Sequence, residues 1–376
     1  MDPLPHPFST IPYYSLLYPD YTLQIQSLNR FTKELAGNND KPSSMPTIYI
    51  CREDTNSGLS FGGNKIRKLE YLVPDIISPS FDSNGNNMKS SITTLVTTGG
   101  IQSNHQRAVA AVAAHLGLKC VLVPQNMVAE KHQIDNKAYQ ESGNVQLTKL
   151  LGAEILPTWG SLGDADVEAV LKELRDKGEV PYWIPSGSST HEKGGLGFAR
   201  WAFELHAWEQ KNQKEFNTIV VTCASGSTLG GMIAGFRYLE KKIAVEDSTN
   251  LRKSRRIIGI DAWAAEDENY GKNRVLETAR RTGLMIGLKE EDITKKDVII
   301  ERRWNAGSYG RCNEETVEAM EILARTEGVL TDPVYTGKSV AGIIGMVKEG
   351  NFLQDDNLLF VHTGGQMVMS AYPGIF

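Results

Sequence analysis

Short apolar runs rich in β-branched residues alternate with longer runs of helical periodicity from Ile92 onward. Runs such as Ile92–Val96 and Thr218–Cys223 have the length of strands, and apolar residues at helical spacing follow each of them. Because parallel strands are usually connected by helices, this alternation predicts an α/β fold with open, mostly parallel sheets flanked by helices. A chain of 376 residues exceeds the usual size of one hydrophobic core, which predicts two lobes.

The composition excludes several classes of partner. A formal net charge of -5 gives no electrostatic reason to expect nucleic acid. No apolar run approaches the ~20 residues that cross a membrane, and the N-terminus has neither the basic nor the apolar segment of a secretion signal. The four cysteines are scattered without CxxC spacing, so no metal site is expected. These features predict a cytoplasmic protein.

A lysine in the sequence GGNK is the first candidate for chemistry. Lys65 opens a run with apolar residues at helical spacing, namely Ile66, Leu69, Leu72 and Val73. The partial positive charge of a helix start, with Arg67 and Lys68 nearby, favours the neutral amine that forms a Schiff base. Considered alone, a lysine after such a turn is more often an ordinary surface residue.

Four turns at predicted strand ends are the candidate ligand site, because ligands of open α/β sheets bind at the C-terminal ends of the strands. They contain Ser103, Ser225, Thr336 and Thr363. The sequence SGST from Ser225 would direct several amide N–H groups toward one anion. It matches neither GxGxxG nor a P-loop, which favours a monophosphate over a dinucleotide or a nucleoside triphosphate. A tight turn that needs small residues explains the motif equally well.

A lysine after GGN and a monophosphate cradle together point to pyridoxal 5'-phosphate. Several segments resemble the 1-aminocyclopropane-1-carboxylate (ACC) deaminase and D-cysteine desulfhydrase family of pyridoxal-phosphate enzymes. These are CREDTNSGLSFGGNKIRKLEYL, TTGGIQSNHQRAVAAVAAHLGLKCVLV, GGLGF, SGSTLGG, ARTEGVLTDPVYTGKS and HTGG. The resemblance spans roughly Thr47 to Gly365 and implies a two-lobed, tryptophan synthase β-like fold, known as fold type II.

The resemblance also implies roles for individual residues. Lys65 matches the Schiff-base lysine, and Asn104 matches the asparagine at the cofactor's ring hydroxyl. Ser103 matches a serine beside the substrate carboxylate, a candidate nucleophile. The phosphate loop corresponds to Ala224, Ser225, Gly226, Ser227 and Thr228, and Tyr309 and Tyr335 match two tyrosines near the substrate. Gln102 and His105 lie in the same helix-opening turn as Ser103, whose free amides would suit a substrate carboxylate. For each tyrosine alone, core packing is the commoner role.

Two threonines separate the activities within the family. Deaminases of the family typically carry VYEGK and HLGG, whereas this chain has VYTGK and HTGG, so Thr336 and Thr363 resemble the desulfhydrase. A threonine would offer the pyridine nitrogen a neutral hydrogen bond in place of a carboxylate. The sequence therefore favours D-cysteine desulfhydrase, which forms pyruvate, hydrogen sulfide and ammonia. The alternatives are ACC deaminase, which forms 2-oxobutanoate and ammonia, and a non-catalytic protein that binds pyridoxal phosphate.

The same resemblance predicts the organisation of the chain. Residues 1–90 and 200–376 are expected to form a larger domain that binds the cofactor, with residues 91–199 inserted as a smaller domain. A homodimer is implied. The polar stretch from Ser78 to Ser91 is expected to be an exposed insertion, and the charged stretch from Glu240 to Arg256 a solvated connection.

Overall fold

The computed structural model describes residues 4–37, 45–78, 80–81, 87–88, 91–127, 137–157, 167–246, 255–353 and 356–376. The strands in these ranges are β1 (Ile25–Ser27), β2 (Thr47–Arg52), β3 (Ser80–Phe81), β4 (Asn87–Met88), β5 (Thr94–Gly100), β6 (Lys119–Gln125), β7 (Glu154–Ile155), β8 (Pro181–Ile184), β9 (Thr218–Cys223), β10 (Arg256–Asp261), β11 (Ile299–Glu301) and β12 (Asn357–His362). The α-helices are α1 (Asn29–Ala36), α2 (Asn64–Leu69), α3 (Val73–Ile77), α4 (Asn104–Leu116), α5 (Lys137–Glu141), α6 (Asn144–Leu150), α7 (Val167–Asp176), α8 (Leu196–Asn212), α9 (Ser227–Glu246), α10 (Tyr270–Ile286), α11 (Glu314–Glu327) and α12 (Thr336–Lys348).

The strands form two main sheets. A six-stranded sheet has the order β1-β2-β12-β9-β10-β11, and a four-stranded sheet has the order β7-β6-β5-β8. β1 pairs antiparallel with β2, and the other neighbours in these two sheets pair parallel. The predicted α/β fold with mostly parallel sheets is confirmed. The four-stranded sheet lies within residues 91–199, although the domain boundaries themselves stay a prediction.

Helices cover both faces of the six-stranded sheet. Side chains of a strand alternate between the two faces, so each face contributes to a separate core. On β9, Ile219 and Val221 face a core built mainly with α8, α9 and α10. Val220 between them faces a second core, formed with α1, α11 and α12. All three side chains are buried, as expected for a parallel sheet covered on both sides.

The helix that follows GGN packs on the smaller sheet. Ile66, Leu69, Leu72 and Val73 are fully buried, which confirms the apolar face predicted from their spacing. They share a core with residues of β5, α4 and β8. Residues 64–77 therefore belong by packing to the four-stranded sheet, although they lie within the segment predicted to form the larger domain.

β5 is longer than its sequence predicts. The expected strand stopped at Val96, because a Gly-Gly pair usually marks a turn. In the structure the strand continues through Gly99 and Gly100, which pair with Pro124 and Gln125 of β6. Pairing with a long neighbour has overridden the local turn signal, so the Ser103 turn begins at the very end of the sheet.

Two stretches expected to be irregular contain regular elements. The stretch from Glu240 was expected to be a solvated connection, but α9 continues through it to Glu246, and residues 247–254 lie outside the described part. Within residues 78–91, β3 and β4 pair antiparallel, and the remainder of that predicted insertion is mostly outside the described residues. In the part of the chain that the structure describes, no helix is long and apolar enough to span a membrane.

Candidate active site

One cavity lies where the turns after β5, β9 and β12 meet the start of α2. This is the edge of parallel sheets at which ligands are expected to bind. Most of the residues singled out in the sequence line it, including residues from four separate turns. They are Lys65, Ser103, Asn104, His105, Ala224, Ser225, Gly226, Thr228, Tyr309, Tyr335 and Thr363.

Three predicted residues do not line this cavity. Gln102 instead supports the wall, since its side chain donates to Tyr139 O at 2.7 Å and accepts from Asn144 N at 2.9 Å. The Ser227 hydroxyl donates to Gly187 O at 3.0 Å. The Thr336 hydroxyl donates to the Asp332 carboxylate at 2.6 Å, so it is engaged by a neighbouring side chain.

The start of α2 is fixed by contacts with two distant turns. Asn64 N donates to Thr363 O at 3.1 Å, and the Asn64 side chain donates to the Thr228 hydroxyl at 2.9 Å. Gly63 adopts φ +100°, and a Cβ there would lie only 3.1 Å from Thr363 O. The close approach therefore requires glycine at position 63. These contacts hold Lys65 at the cavity wall, where its Nζ lies 3.2 Å from Asn64 Oδ1.

The surroundings of Lys65 favour the neutral form of its amine. Burial and, to a smaller extent, the positive charge of Arg107 lower its pKa, Asp332 acts in the opposite direction, and the net result is a pKa of about 8. The sequence interpretation attributed this effect partly to Arg67. That attribution is wrong, because two carboxylates compensate the Arg67 charge.

Arg67, two residues after Lys65 on α2, forms a buried ion-pair network. Its Nε and Nη2 donate to Glu53 at 2.6 and 2.9 Å, and its Nη1 lies 2.8 Å from Glu204 Oε2. The Arg67 and Glu53 side chains are fully buried, and Glu204 is nearly so. The network links α2 to α8 and to the segment after β2, and thereby fixes the helix that carries Lys65.

The turn predicted to bind phosphate lies between β9 and α9. Gly226 adopts φ +95°, a conformation that favours glycine, immediately before the first residue of α9. A second turn closes over the loop, because a Cβ on Gly187 would lie 2.4 Å from Ser225 Oγ. The loop therefore combines a helix N-terminus with hydroxyl groups in a narrow space, which suits a phosphate.

Lys68 is a residue that the sequence interpretation did not assign to the site. Its Nζ donates to Ser227 Oγ at 2.8 Å and to Gly187 O at 3.2 Å. Burial, together with the charge of Lys65, lowers its pKa well below the ordinary lysine value. A buried amine held beside this loop fits a phosphate anion, which would favour its protonated form. Its helical i,i+3 spacing from Lys65 was the available signal.

More amide donors in the Ser103 turn are already hydrogen-bonded than the sequence suggested. Ser103 is the N-cap of α4, and its hydroxyl accepts from His105 N and Gln106 N, both at 3.2 Å. The expectation of free amides for a substrate carboxylate is therefore wrong for those two groups. Burial, with the charges of Lys65 and Lys68, lowers the pKa of His105 well below its usual value, so this imidazole is neutral.

Two tyrosines share a hydrogen bond at the cavity. The hydroxyls of Tyr309 and Tyr335 are bonded to each other, and the Trp263 ring packs 5.3 Å from the Tyr309 ring. Burial raises the pKa of Tyr309 to about 12 and that of Tyr335 well above its ordinary value. Lys338 Nζ donates to Ser308 O at 3.2 Å, which anchors the Tyr309 segment. Both phenols are neutral at physiological pH.

Comparison with known proteins gives this cavity a chemical context. The pattern of the family described as "Pyridoxal-phosphate dependent enzyme" matches residues 26–364. The chain belongs to this family. Pyridoxal phosphate is its cofactor, and the buried Lys68, the Ser225 turn and the lowered pKa of Lys65 fit that group. The individual contacts of the residues to the cofactor stay predictions.

Relatives within the family resemble the whole chain. ACC deaminase from Burkholderia multivorans is 41% identical over 96% of this chain and 98% of its own length. ACC deaminase from Pseudomonas syringae pv. tomato is 40% identical over 94% of each chain. A crystal structure of an ACC deaminase homologue aligns with a TM-score of 0.72 and 26% identity over 97% of each chain. An O-ureido-L-serine synthase shares the fold, with a TM-score of 0.56 and 15% identity. The predicted fold type II family is confirmed.

The preference for D-cysteine desulfhydrase is wrong, because these relatives of about 40% identity are ACC deaminases. That preference depended on two threonines. In the structure the Thr336 hydroxyl is bound to the Asp332 carboxylate, and Thr336 does not line the cavity. Thr363 does line it. A two-residue difference in motifs therefore carried less information about the reaction than similarity over nearly the full chain.

Proposed function

We propose that this enzyme opens the ring of 1-aminocyclopropane-1-carboxylate and, with water, releases 2-oxobutanoate and ammonia. The strongest support is a sequence identity of about 40% to ACC deaminases, which extends over nearly the whole length of this chain and of the relatives. The cavity is consistent with the proposal, because a lysine, a serine and a tyrosine pair converge there.

Lys65 has the central role in the proposal. Its amine has a pKa of about 8, so a substantial fraction is neutral and nucleophilic at physiological pH. When bound, pyridoxal phosphate supplies the electron sink that ring opening requires. Lys68, Ser225 and Thr228 would hold the phosphate, and Asn64 would keep Lys65 aligned with that loop.

Ser103 and the tyrosine pair would act on the substrate. The Ser103 hydroxyl already accepts from two amides at the start of α4, so it is polarised to donate or to lose a proton at the substrate. The hydroxyls of Tyr309 and Tyr335 are hydrogen-bonded to each other. The phenol that delivers a proton to a ring carbon becomes a phenolate, which would accept a hydrogen bond from the other phenol until it is reprotonated.

Turnover of ACC tests the proposal directly. The purified enzyme, loaded with pyridoxal phosphate, would be incubated with ACC while 2-oxobutanoate and ammonia are measured. Both products should appear in equal amounts. Lys65→Ala should abolish them, whereas Lys172→Ala, which removes an exposed lysine on α7, should leave the rate unchanged. A loaded wild-type enzyme that forms no more 2-oxobutanoate than Lys65→Ala would reject the proposal and favour a non-catalytic protein.

The proposal includes a cytoplasmic homodimer, which the family resemblance implies. Sedimentation of the loaded enzyme should give about twice the mass of the 41.5 kDa chain. A species of monomer mass at micromolar concentration would remove this part of the proposal without affecting the reaction.

A further inference from the structure

A buried asparagine outside the cavity holds one of the residues that line it. Asn144, the first residue of α6, is 1% exposed and is not among the residues that line the cavity. Its Nδ2 donates to Asn104 Oδ1 at 2.9 Å and to Gln102 O at 3.0 Å. Asn104 does line the cavity, so Asn144 reaches the site through the side chain of Asn104.

The backbone carbonyl of Gln102 determines which way both side-chain amides point. A carbonyl oxygen only accepts hydrogen bonds, so the Asn144 atom that faces it must be the donor Nδ2. The same Nδ2 faces Asn104, whose atom at that contact must then be the acceptor Oδ1. The amide atom of Asn104 that is left for a ligand in the cavity is therefore the donor Nδ2.

Asn144 is itself held from two sides. Its backbone N donates to Gln102 Oε1 at 2.9 Å, and Gln102 Nε2 donates to Ser142 O at 2.9 Å. The Ser142 hydroxyl donates to Ser370 O, near the C-terminus, at 2.9 Å. These contacts join the segment before α6 both to the Ser103 turn and to the C-terminal segment, and they fix the place from which Asn144 holds Asn104.

The donor that Asn104 offers suits an oxygen of the cofactor. The helix α2, which carries Lys65, packs against α4, which begins at Asn104, and both residues line the same cavity. In pyridoxal phosphate the ring hydroxyl lies on the carbon next to the one that carries the aldehyde, the group with which a lysine amine reacts. An amide donor in the cavity that holds this lysine can bind the ring oxygen, and the bond is strongest when that oxygen is ionised.

We propose that Asn144 is a positioning residue that turns the Asn104 amide so that Nδ2 donates to the ring oxygen of pyridoxal phosphate. Asn144 touches neither the cofactor nor the substrate and acts through Asn104 alone. The inference concerns how the cofactor is bound. It goes beyond the proposed reaction and does not depend on which amino acid reacts.

The test compares pyridoxal 5'-phosphate with 3-deoxypyridoxal 5'-phosphate, which lacks the ring hydroxyl. The dissociation constants of both compounds for cofactor-free protein would be measured by calorimetry, and their ratio gives the preference for the ring oxygen. The wild type should prefer pyridoxal phosphate about 10- to 100-fold, as expected for a hydrogen bond to a charged oxygen. Asn104→Ala should remove most of this preference.

Asn144→Leu keeps the approximate size of the side chain and removes both of its donated hydrogen bonds. The Asn104 amide must then be ordered when the cofactor binds, so the preference should fall about twofold to tenfold. A merely structural role of Asn144 would weaken the binding of both compounds by the same factor and leave the preference unchanged. Asn273→Leu, the same change at an exposed position on α10, should keep the wild-type preference.

A double variant shows whether Asn144 acts through Asn104. Adding Asn144→Leu to Asn104→Ala should lower the preference no further than Asn104→Ala alone, because the side chain that Asn144 positions is already absent. A further fall in the double variant would mean that Asn144 acts by another route, and the inference would be wrong.

The remaining outcomes are equally distinct. A preference that falls by less than twofold in Asn144→Leu means that Asn144 does not position Asn104, and Asn144→Ala decides the question if Asn144→Leu does not fold. A wild type that binds both compounds equally has no bond from Asn104 to the ring oxygen, which also overturns the inference. If the wild type shows the preference but forms no 2-oxobutanoate from ACC, the reaction is wrong and the role of Asn144 stands.

Discussion

The Asn64 side chain donates a 2.9 Å hydrogen bond to the Thr228 hydroxyl, across 164 residues of sequence. Asn64 is the first residue of α2 and precedes Lys65, whereas Thr228 lies in the first turn of α9 beside the Ser225 turn. The bond therefore joins the two parts of the site that are proposed to bind one cofactor, the lysine and the Ser225 turn. The backbone N of Asn64 also binds Thr363 O, so the same residue reaches a third turn.

Asn64→Ala should weaken binding of pyridoxal phosphate. The substitution removes the bond to Thr228 and leaves the backbone bond to Thr363, so the dissociation constant should rise about fivefold to tenfold, as expected for one hydrogen bond. The constant would be measured by titrating cofactor-free protein and following visible absorbance. Asn273→Ala, at an exposed position on α10, is the matched control. An unchanged constant in Asn64→Ala would mean that this bond does not align the lysine with the loop.

Capture of pyridoxal phosphate should depend on pH through Lys65. Its pKa is lowered to about 8, so below that pH most of the amine is protonated and above it most is neutral. The rate constant for capture by cofactor-free protein should rise about tenfold per pH unit below 8 and level off above it. Stopped-flow absorbance from pH 6 to about 10 measures this profile. A rate constant that continues to rise up to the ordinary lysine pKa would show that the pKa of Lys65 is not lowered.

Arg107→Gln should move this pH profile upward, because the positive charge that helps to lower the Lys65 pKa is removed. Burial, the larger cause, remains, so the inflection should stay below the ordinary lysine value. Arg325→Gln, in which the altered side chain is exposed on α11, should leave the inflection unchanged. No movement in Arg107→Gln would show that its charge does not reach the amine.

The parts of the site that sequence predicted well share one physical basis. Lys65 and the Ser225 turn each lie where a turn leads into a helix, which local periodicity predicts, and parallel strands bring their carboxyl ends to one edge, so their meeting follows from the fold. What sequence missed depends on side-chain packing between distant segments. One partner of Arg67 is Glu204, far along the chain, whereas Nε and Nη1 of Arg107 have no hydrogen-bond partner among the described residues. Nothing in a local motif distinguishes these two arginines.

The same limit explains the error about the reaction. Thr336 was expected at the pyridine nitrogen because of its place in VYTGK. Its orientation is set by Asp332, which accepts both its backbone N–H, at 2.9 Å, and its hydroxyl. Strand ends show a related effect, since Gly99 and Gly100 continue β5 only because β6 extends beside them. Local patterns predict secondary-structure elements well, but they predict poorly which partners a side chain contacts.

Removing either hydroxyl of the tyrosine pair should slow catalysis without releasing the cofactor. Tyr309→Phe and Tyr335→Phe each break the bond between the two phenols, and loss of a proton donor costs about 10²- to 10⁴-fold in kcat. Visible absorbance should stay that of the loaded enzyme. Tyr238→Phe, which alters a ring packed on Phe203 outside the cavity, should keep full activity. Activity of either cavity variant within threefold of the wild type would exclude the pair from proton transfer.

Breaking the buried network at Arg67 should destabilise the whole protein. Arg67→Met leaves Glu53 and Glu204 without their shared cation, and removing one partner of a buried ion pair costs about 3–5 kcal/mol. Urea denaturation should show this as a lower free energy of unfolding and a lower midpoint. Because the network fixes the helix that carries Lys65, the variant should also bind pyridoxal phosphate more weakly at urea concentrations where it is still folded.

Two further variants make this prediction specific. Arg325→Met removes an exposed arginine that pairs with Glu321, and should change the free energy of unfolding by no more than about 0.5 kcal/mol. In Arg67→Met, Glu204 keeps its pair with Arg200 at 3.1 Å, whereas Glu53 loses its cation. Adding Glu53→Gln removes that uncompensated charge, so the double variant should recover part of the lost stability. If the double variant is instead less stable than Arg67→Met by the full cost of a second independent substitution, the two residues are not coupled. In that case the network does not fix the position of α2 and of Lys65 on it.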